Sequence, residues 1–297
     1  MATTTATTIG FVGLGHMGGN MAARFLAAGY TVYGEERNRA HADGLVHDGL
    51  RWCESPREVA DAADVVFTSL PDDGVLELVA SGPDGILAGL TADKVWIDMS
   101  TVSPRASRAL AERAYERGAA MLDAPVSGSV PQVQAGTLTI MVGGDEQAYR
   151  RVEPILRELG TPTHIGENGQ GLVLKLAINS SLAVQILAFS EGLLLAERAG
   201  IDRQLAIDVM TDSPIGSPML KARAGLLLDL PDEAWFDVGL MQKDVVLALD
   251  TARELHVPLP SAAAADELLT VARALGYEQR DLAALFEVLA RLAGDPA

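Results

Sequence analysis

Apolar and polar positions in the first half of the chain alternate between two patterns. Short apolar runs typical of buried strands are separated by stretches rich in Ala, Glu and Arg that are typical of helices. The strand candidates are Thr8–Val12, Tyr30–Gly34, Asp64–Leu70, Val95–Met99, Ala120–Ala124, Thr137–Val142 and Thr163–Ile165. The first intervening helix is predicted over Met21–Ala28, where Gly29 ends it. This order predicts crossover connections and an α/β fold with a doubly wound parallel sheet.

The second half has a different pattern, without a convincing strand after the glycine-rich stretch 166–171. Ala, Leu, Glu and Arg dominate, and Gly and Pro residues interrupt them, which is typical of an all-helical domain. We therefore predict two domains, 1–166 and 167–297, joined by a long helix. That helix, from about Gly169 to Ala199, is too apolar to lie exposed, and it is predicted to pack between the domains and in a subunit interface of a homodimer or homotetramer.

Charge and composition exclude several function classes. The 297 residues carry a formal net charge of −17, which argues against nucleic acid and anionic membranes as partners. A single cysteine, Cys53, excludes a disulfide framework, and no metal site is predicted from it and five scattered His residues. The apolar stretch Leu172–Leu195 is interrupted by polar groups, so no membrane span is expected. Without a targeting signal at the start, a cytoplasmic location is predicted.

Three glycines follow the first predicted strand. They belong to the segment Gly13-Leu14-Gly15-His16-Met17-Gly18, which fits the pattern G-x-G-x-x-G between a strand and a helix. In this pattern the first glycine allows a tight turn, the second lets a pyrophosphate approach, and the third permits close helix packing. The segment therefore predicts a dinucleotide site, in which the helix N-terminus faces the phosphates.

The second predicted strand is followed by residues that disagree about which dinucleotide binds. Glu36 lies where an acidic side chain would bond the ribose 2′-hydroxyl of NAD. Arg37 and Arg39 would instead attract the 2′-phosphate of NADP. The balance favours NAD by a narrow margin, with some use of both cofactors.

Further motifs occur in an order shared with a known family. They are Asp123-Ala-Pro-Val-Ser-Gly128, Gly136-Thr-Leu-Thr-Ile-Met-Val-Gly-Gly144, Lys175 with Asn179, and Lys243-Asp244. With the glycine segment, the chain resembles the β-hydroxyacid dehydrogenases, the group of 3-hydroxyisobutyrate dehydrogenase and tartronate semialdehyde reductase. The resemblance runs from Ile9 to about Leu292. It implies a Rossmann domain, a helical domain, a cleft between them, and reversible hydride transfer between NAD(P) and a short β-hydroxy carboxylate.

The resemblance also implies individual roles. Lys175 matches the catalytic lysine, which would be the general acid and base, and Asn179 matches a substrate amide. Ser127, Gly128 and Ser129 match the substrate loop. The positions that match cofactor contacts, beside the glycine segment and Glu36 or Arg37, are Leu70, Pro71, Thr101 and Lys243.

The residue types suit this chemistry. Lys175 and Asn179 are four apart on a predicted helix, so they share a face. Partial burial and a nearby cation would bring the lysine pKa toward neutrality, where it can exchange the hydroxyl proton. Small residues at 127–128 would leave backbone N–H groups for a carboxylate. One segment departs from the family, because Ser129-Val-Pro-Gln-Val-Gln134 replaces a second glycine and further small residues.

Other functions stay open at this point. A 6-phosphogluconate dehydrogenase shares the motif order, but it needs a longer C-terminal segment and a cationic phosphate site. Imine reductases share the fold and usually lack the lysine at position 175. A catalytically silent dinucleotide-binding assembly protein is the alternative outside enzymes.

Overall fold

The computed structural model describes residues 7–294, and its first half forms one large sheet. The strands are β1 (Thr8–Val12), β2 (Thr31–Glu35), β3 (Arg51–Trp52), β4 (Val65–Thr68), β5 (Val95–Asp98), β6 (Ala120–Asp123), β7 (Val126–Ser127), β8 (Leu138–Gly143) and β9 (Gly160–Gly166). Their order is β3-β2-β1-β4-β5-β6-β8-β7, with β9 paired to β8. The strands β1 to β6 run parallel to each other. The predicted doubly wound α/β fold is thereby confirmed.

Helices connect the strands and make up most of the second half. They are α1 (His16–Ala27), α2 (Asp43–His47), α3 (Pro56–Ala62), α4 (Asp73–Ala80), α5 (Ile86–Gly89), α6 (Pro104–Tyr115), α7 (Val130–Ala135), α8 (Glu146–Leu156), α9 (Gln170–Arg198), α10 (Arg203–Asp212), α11 (Pro218–Arg223), α12 (Val238–Glu254), α13 (Pro260–Ala274) and α14 (Leu285–Leu292). Short 3₁₀ helices cover Arg39–His41, Ala224–Leu227 and Leu282–Ala284.

Three local details differ from the pattern-based expectation. The sheet is not parallel throughout, because β8 pairs antiparallel with β6 and β7. The strand β3 has two residues, and β7 also has two, so neither is long enough to show an apolar run. The first helix starts at His16 rather than Met21, since its first turn contains two glycines that conceal the helical pattern.

Alternation along the central strands explains both cores of the sheet. In β5, Val95 and Ile97 face the cluster that contains α1 and α8, while Trp96 faces the opposite cluster, which contains α3 and α6. All three side chains are fully buried. A strand covered by helices on both faces is apolar along its whole length. The apolar runs in the sequence therefore predict these strands.

Contacts divide the chain inside α9, where a first compact unit ends at Lys175 and a second begins at Leu176. The second unit is helical in its described residues, apart from one isolated bridge between Asp237 and Asp281. Its core includes Phe189, Met241 and Phe286. A buried ion pair of 2.8 Å joins Arg223 to Asp281 within it.

By length and composition the helix α9 could cross a membrane, since 29 residues include an 18-residue window of mean hydropathy 1.8. Core helices of soluble proteins meet the same criterion. Lys175, Asn179 and Glu191 interrupt the apolar residues, and such groups are costly in lipid.

Candidate active site

The glycine loop lies where β1 ends and α1 begins. Gly13 has a φ of +89°, and a Cβ there would lie 2.5 Å from the Ser69 carbonyl oxygen. A Cβ on Gly18 would lie 2.0 Å from the Gly13 carbonyl oxygen. These two glycines are therefore required by the turn and by close packing of the helix on the strand.

Gly15 has a different environment. Its φ of −66° suits any residue, and a Cβ there would meet no atom of the described chain within 4 Å. The fold thus gives no steric reason for glycine at this exposed position, although as the N-cap of α1 it favours glycine over alanine. Open space at a helix N-terminus is what a pyrophosphate needs for close approach to the backbone.

Glu36 contacts this loop directly. Its Oε2 accepts a 2.8 Å hydrogen bond from the Leu14 backbone N–H, and its Oε1 accepts one of 3.3 Å from Asn38. The carboxylate is thus held at the end of β2, beside the glycine segment. Its neighbour Glu35 is half-buried, and burial first and the charge of Glu36 second raise the pKa of Glu35 to about 6.

The arginines of this region have different environments. The Arg39 guanidinium stacks 5.1 Å from the centre of the Trp52 ring and lies 3.9 Å from a carboxylate oxygen of Glu54. Arg37 is exposed. Of the ribose-recognition candidates, the acidic one, Glu36, is hydrogen-bonded to the glycine loop.

A buried hydrogen-bond network joins the next two loops of the same sheet edge. The Leu70 N–H donates to Ser100 Oγ over 2.9 Å, and the Ser100 hydroxyl donates to Asp98 Oδ1 over 2.6 Å. The Thr68 hydroxyl donates to the same oxygen over 2.7 Å and accepts from the Trp96 indole N–H. Asp98 therefore fixes the Leu70-Pro71 loop against the Ser100-Thr101 loop, the two segments matched to cofactor contacts.

Burial raises the pKa of Asp98 from 3.8 to about 6, against hydrogen bonds from Ser100 and Thr68 that lower it. Because folding raises this pKa, protonation of Asp98 stabilises the folded state. The contribution is fully present below pH 3.8 and is lost as the pH rises through about 6. We expect the unfolding free energy of wild type, relative to that of Asp98→Asn, to increase by up to about 3 kcal/mol between pH 7 and pH 4. Urea unfolding across this range measures it; a pH-independent difference contradicts it.

The proposed substrate loop begins at the end of β7. Ser127 pairs with Thr139 of β8, and Gly128 adopts a φ of +133° beside Leu138. The Ser129 N–H donates to Gln132 Oε1 over 2.9 Å, and its hydroxyl donates to the same oxygen. The expectation of free backbone N–H groups concerns positions 127–128; at the next residue, Ser129, the N–H is engaged, because Gln132 forms a capping box with it at the start of α7.

Lys175 lies on the second turn of α9, and the start of this helix is attached to the sheet. The Asp123 carboxylate at the end of β6 accepts hydrogen bonds from the Gly169 and Leu172 N–H groups. The helix that carries Lys175 therefore starts at the carboxyl edge of the sheet, where the Leu70 and Ser100 loops also lie.

Within the second unit, Asp244 joins two of the predicted site residues. The Asn179 amide donates to Asp244 Oδ2 over 2.6 Å, and the Lys243 ammonium lies 2.9 Å from Asp244 Oδ1. Asp244 is buried, with 2% of its surface exposed, so both partners stabilise its charge. The motif Lys243-Asp244 is recognisable in the sequence. The hydrogen bond of Asp244 to Asn179, 65 residues away, is visible only in the structure.

Comparison with known proteins identifies the family. Residues 8–168 match the NAD-binding domain of 6-phosphogluconate dehydrogenase, and residues 169–289 match the NAD-binding domain of NADP-dependent 3-hydroxyisobutyrate dehydrogenase. The chain is 36% identical to 2-(hydroxymethyl)glutarate dehydrogenase of Eubacterium barkeri, over 96% of each chain. It belongs to the β-hydroxyacid dehydrogenase family.

Two further relatives agree with this assignment. The 2-hydroxy-3-oxopropionate reductase of Escherichia coli is 35% identical, over 96% of this chain and 98% of the relative. The solved structure of Mycobacterium tuberculosis 3-hydroxyisobutyrate dehydrogenase with L-serine is 32% identical and has a TM-score of 0.85, covering 96% of this chain and 99% of that one. The chain is therefore an NAD(P)-dependent β-hydroxyacid dehydrogenase.

The first unit of this dehydrogenase fits a nicotinamide dinucleotide. The open space at Gly15, the anchored Glu36 carboxylate and the Leu70 and Ser100 loops all lie at the carboxyl edge of a doubly wound sheet. Ligands of such sheets bind at this edge, where the strand order reverses between β1 and β4. The bound cofactor would accept or supply the hydride of the reaction.

Proposed function

We propose that this dehydrogenase interconverts a β-hydroxy carboxylate of three to five carbons, without phosphate, and the corresponding carbonyl acid, with Lys175 as the general acid and base. The observation that carries the proposal is the placement of α9. Its first turn is bonded to the end of β6, so the helix of Lys175 begins at the edge that holds the cofactor loops.

In this mechanism the chain has three tasks. The glycine loop and Glu36 hold the dinucleotide, and the Asp98 network keeps the two neighbouring loops in place. Ser127 and Gly128 offer a short polar turn to the substrate carboxylate. Lys175 takes the proton from the substrate hydroxyl during oxidation and returns it to the carbonyl oxygen during reduction, a role worth roughly 10²- to 10⁴-fold in rate. Asn179 lies one helical turn further along α9, but it is buried and its amide donates to Asp244, so no substrate contact is assigned to it in this mechanism.

A substrate panel tests the proposal. The purified protein is assayed with 3-hydroxyisobutyrate, L-serine, 2-(hydroxymethyl)glutarate and 2-hydroxy-3-oxopropionate, the compounds that the names of the relatives contain. NAD and NADP are used in parallel, in both directions. Turnover of an acid of three to five carbons is expected to exceed that of 2-(hydroxymethyl)glutarate, which has six. Activity on 6-phosphogluconate above that on every short acid would overturn the substrate class, and no turnover at all would favour a silent binding protein.

For the cofactor, we propose a preference for NAD. Glu36 is bonded to the glycine loop, and its charge would repel a 2′-phosphate. Arg39 is stacked on Trp52 and paired with Glu54, so a 2′-phosphate would have to compete for it. A wild-type kcat/KM ratio of 100-fold or more in favour of NADP, about 2.7 kcal/mol, would contradict this preference.

Glu36→Gln is expected to shift the ratio of kcat/KM for NADP to that for NAD by at least about 10-fold toward NADP, or roughly 1.4 kcal/mol. The amide keeps an oxygen for the Leu14 N–H but removes the charge. Arg39→Ala is the comparison variant and should move the ratio less than about threefold, because its guanidinium is engaged elsewhere. Steady-state kinetics with both cofactors measures the ratios; a larger shift for Arg39→Ala would reverse the assignment.

We also propose that a second copy of the chain covers part of α9. Leu195 is 73% exposed and Leu174 is 39% exposed on this apolar helix, which favours burial in a homodimer or homotetramer. Light scattering at micromolar concentration tests this, and a monomer refutes it.

A further inference from the structure

We infer that Asp123 is a positioning residue for Lys175. Its buried carboxylate fixes the first turn of α9 on the end of β6 and thereby sets where the lysine lies relative to the cofactor loops. The inference rests on the proposed function, since it takes Lys175 as the group that exchanges the substrate proton.

The contacts are those of a helix cap supplied by a distant residue. Gly169 precedes α9 with a φ of +87° and has no side chain with which to cap the helix. Asp123 Oδ1 accepts from the Gly169 N–H over 2.6 Å, and Oδ2 accepts from the Leu172 N–H over 2.9 Å. The first N–H groups of a helix have no partner within the helix, so an external acceptor stabilises them. A negative charge at this end is also favoured by the helix dipole.

Two glycines make room for this carboxylate. A Cβ on Gly143 would lie 2.6 Å from Asp123 Oδ1, and a Cβ on Gly171 would lie 2.8 Å from Oδ2. Gly171 is in the first turn of α9, where glycine costs helix stability of about 1 kcal/mol relative to alanine. The sheet edge approaches so closely that a Cβ on Gly171 would lie 2.4 Å from the Met141 carbonyl oxygen, which explains why this position is glycine.

The first turn of α9, which Asp123 binds, directly precedes the turn that carries Lys175. Gly171 precedes Lys175 by four residues, so the two lie on one face of α9. Side chains of a helix lean toward its N-terminus, so the stem of Lys175 extends over the turn that Asp123 holds. A shift of this turn therefore moves the lysine, whereas the glycine loop and Glu36 belong to other elements. Proton transfer depends on such placement to within an ångström.

Asp123→Asn tests the inference, with Asp145→Asn as a matched control. The asparagine amide has one oxygen for the two N–H donors, Gly169 and Leu172. The other N–H group then faces the amide NH₂ group, which is itself a donor. Asp145 caps α8 through the Ala148 N–H over 2.8 Å, and α8 carries none of the site residues. For each variant, cofactor dissociation constant, cofactor-binding stoichiometry and kcat are measured, and kcat is expressed per cofactor-binding site to remove any unfolded fraction.

We expect kcat per site of Asp123→Asn to fall at least about 10-fold, while the cofactor dissociation constant changes less than about threefold. Asp145→Asn should keep kcat per site within about twofold of wild type. A wild-type kcat per site in Asp123→Asn would overturn the inference and leave Asp123 a purely structural cap. Retained activity in Lys175→Ala would contradict the proposed function. A wild-type kcat in Asp123→Asn, with Lys175→Ala inactive, would contradict only the inference about Asp123.

A second variant and a wild-type measurement protect the test against misfolding. Asp123→Ser has a smaller side chain and places no new atom against Gly143 or Gly171. In wild type, the Gly169 and Leu172 amides should exchange hydrogen more slowly than amides at a helix N-terminus that lack a hydrogen-bond acceptor. Exchange at the rate of unprotected amides would contradict the cap itself.

Discussion

Lys175→Ala is expected to lower kcat at least about 100-fold on the best substrate, a loss of about 2.7 kcal/mol in transition-state stabilisation. The change removes both the proton donor and the positive charge that faces the developing alkoxide. Cofactor binding should change little, because the glycine loop and Glu36 belong to different elements. Steady-state kinetics and cofactor titration measure the two effects separately.

Two further variants sharpen this result. Lys175→Arg should not rescue, since the guanidinium pKa is too high for proton release. Lys221→Ala is the matched control, because it removes a lysine that pairs on the surface with Asp212 over 3.5 Å. It should keep wild-type kcat. If Lys175→Ala keeps more than a tenth of wild-type kcat, another group performs the proton transfer.

Gly15→Ala should weaken cofactor binding at least about 30-fold, or about 2 kcal/mol, while destabilising the cofactor-free protein by no more than about 1 kcal/mol, the cost of alanine at the N-cap of α1. The added methyl would meet no atom of the described chain, and the backbone at Gly15 suits alanine. It would instead occupy the space in which the pyrophosphate approaches the start of α1. Isothermal titration gives the dissociation constant, and thermal unfolding without cofactor gives the stability.

Gly44→Ala provides the comparison. Gly44 lies inside α2, and a Cβ there also meets nothing within 4 Å, so this variant should bind cofactor as wild type does. Unchanged cofactor affinity in Gly15→Ala would mean that the dinucleotide does not approach the loop at this residue. A loss of stability without cofactor well above the roughly 1 kcal/mol of an N-cap change would mean that the glycine has a structural role beyond the cap.

The sequence pattern predicts the fold well where burial is two-sided. The runs at β1, β4, β5 and β6 are apolar because helices cover both faces, so each appears as a strand. The pattern cannot give the antiparallel direction of β8, because an apolar run carries no direction. It also cannot show β3, whose two residues are held by pairing with β2. The N-terminal turn of α1 is hidden by the glycines that the turn requires.

The candidate site is predicted less completely. The glycines, Glu36 and Lys175 are identified by short motifs, and their roles in catalysis and binding stay predictions. The supporting roles of Asp98 and Asp123 are not, because each acid ends an apolar strand and joins distant segments: Thr68 lies 30 residues from Asp98, and Gly169 and Leu172 lie 46 and 49 residues from Asp123. Gln132 stands out in the sequence only as part of an unusual segment, and its bonds to Ser129 become visible when the two residues form the first turn of α7. Such roles depend on tertiary contacts that a motif does not encode.

The bond between Glu36 and the Leu14 amide has a consequence for how the cofactor associates. A dinucleotide is anionic, and it approaches a chain whose formal net charge is −17, so long-range attraction does not assist the encounter. The loop predicted to receive it is already ordered by this contact and by the packing of Gly13 and Gly18. Little conformational entropy is then lost on binding. We therefore expect preorganisation of the loop to favour cofactor affinity, without help from long-range attraction in the rate of association.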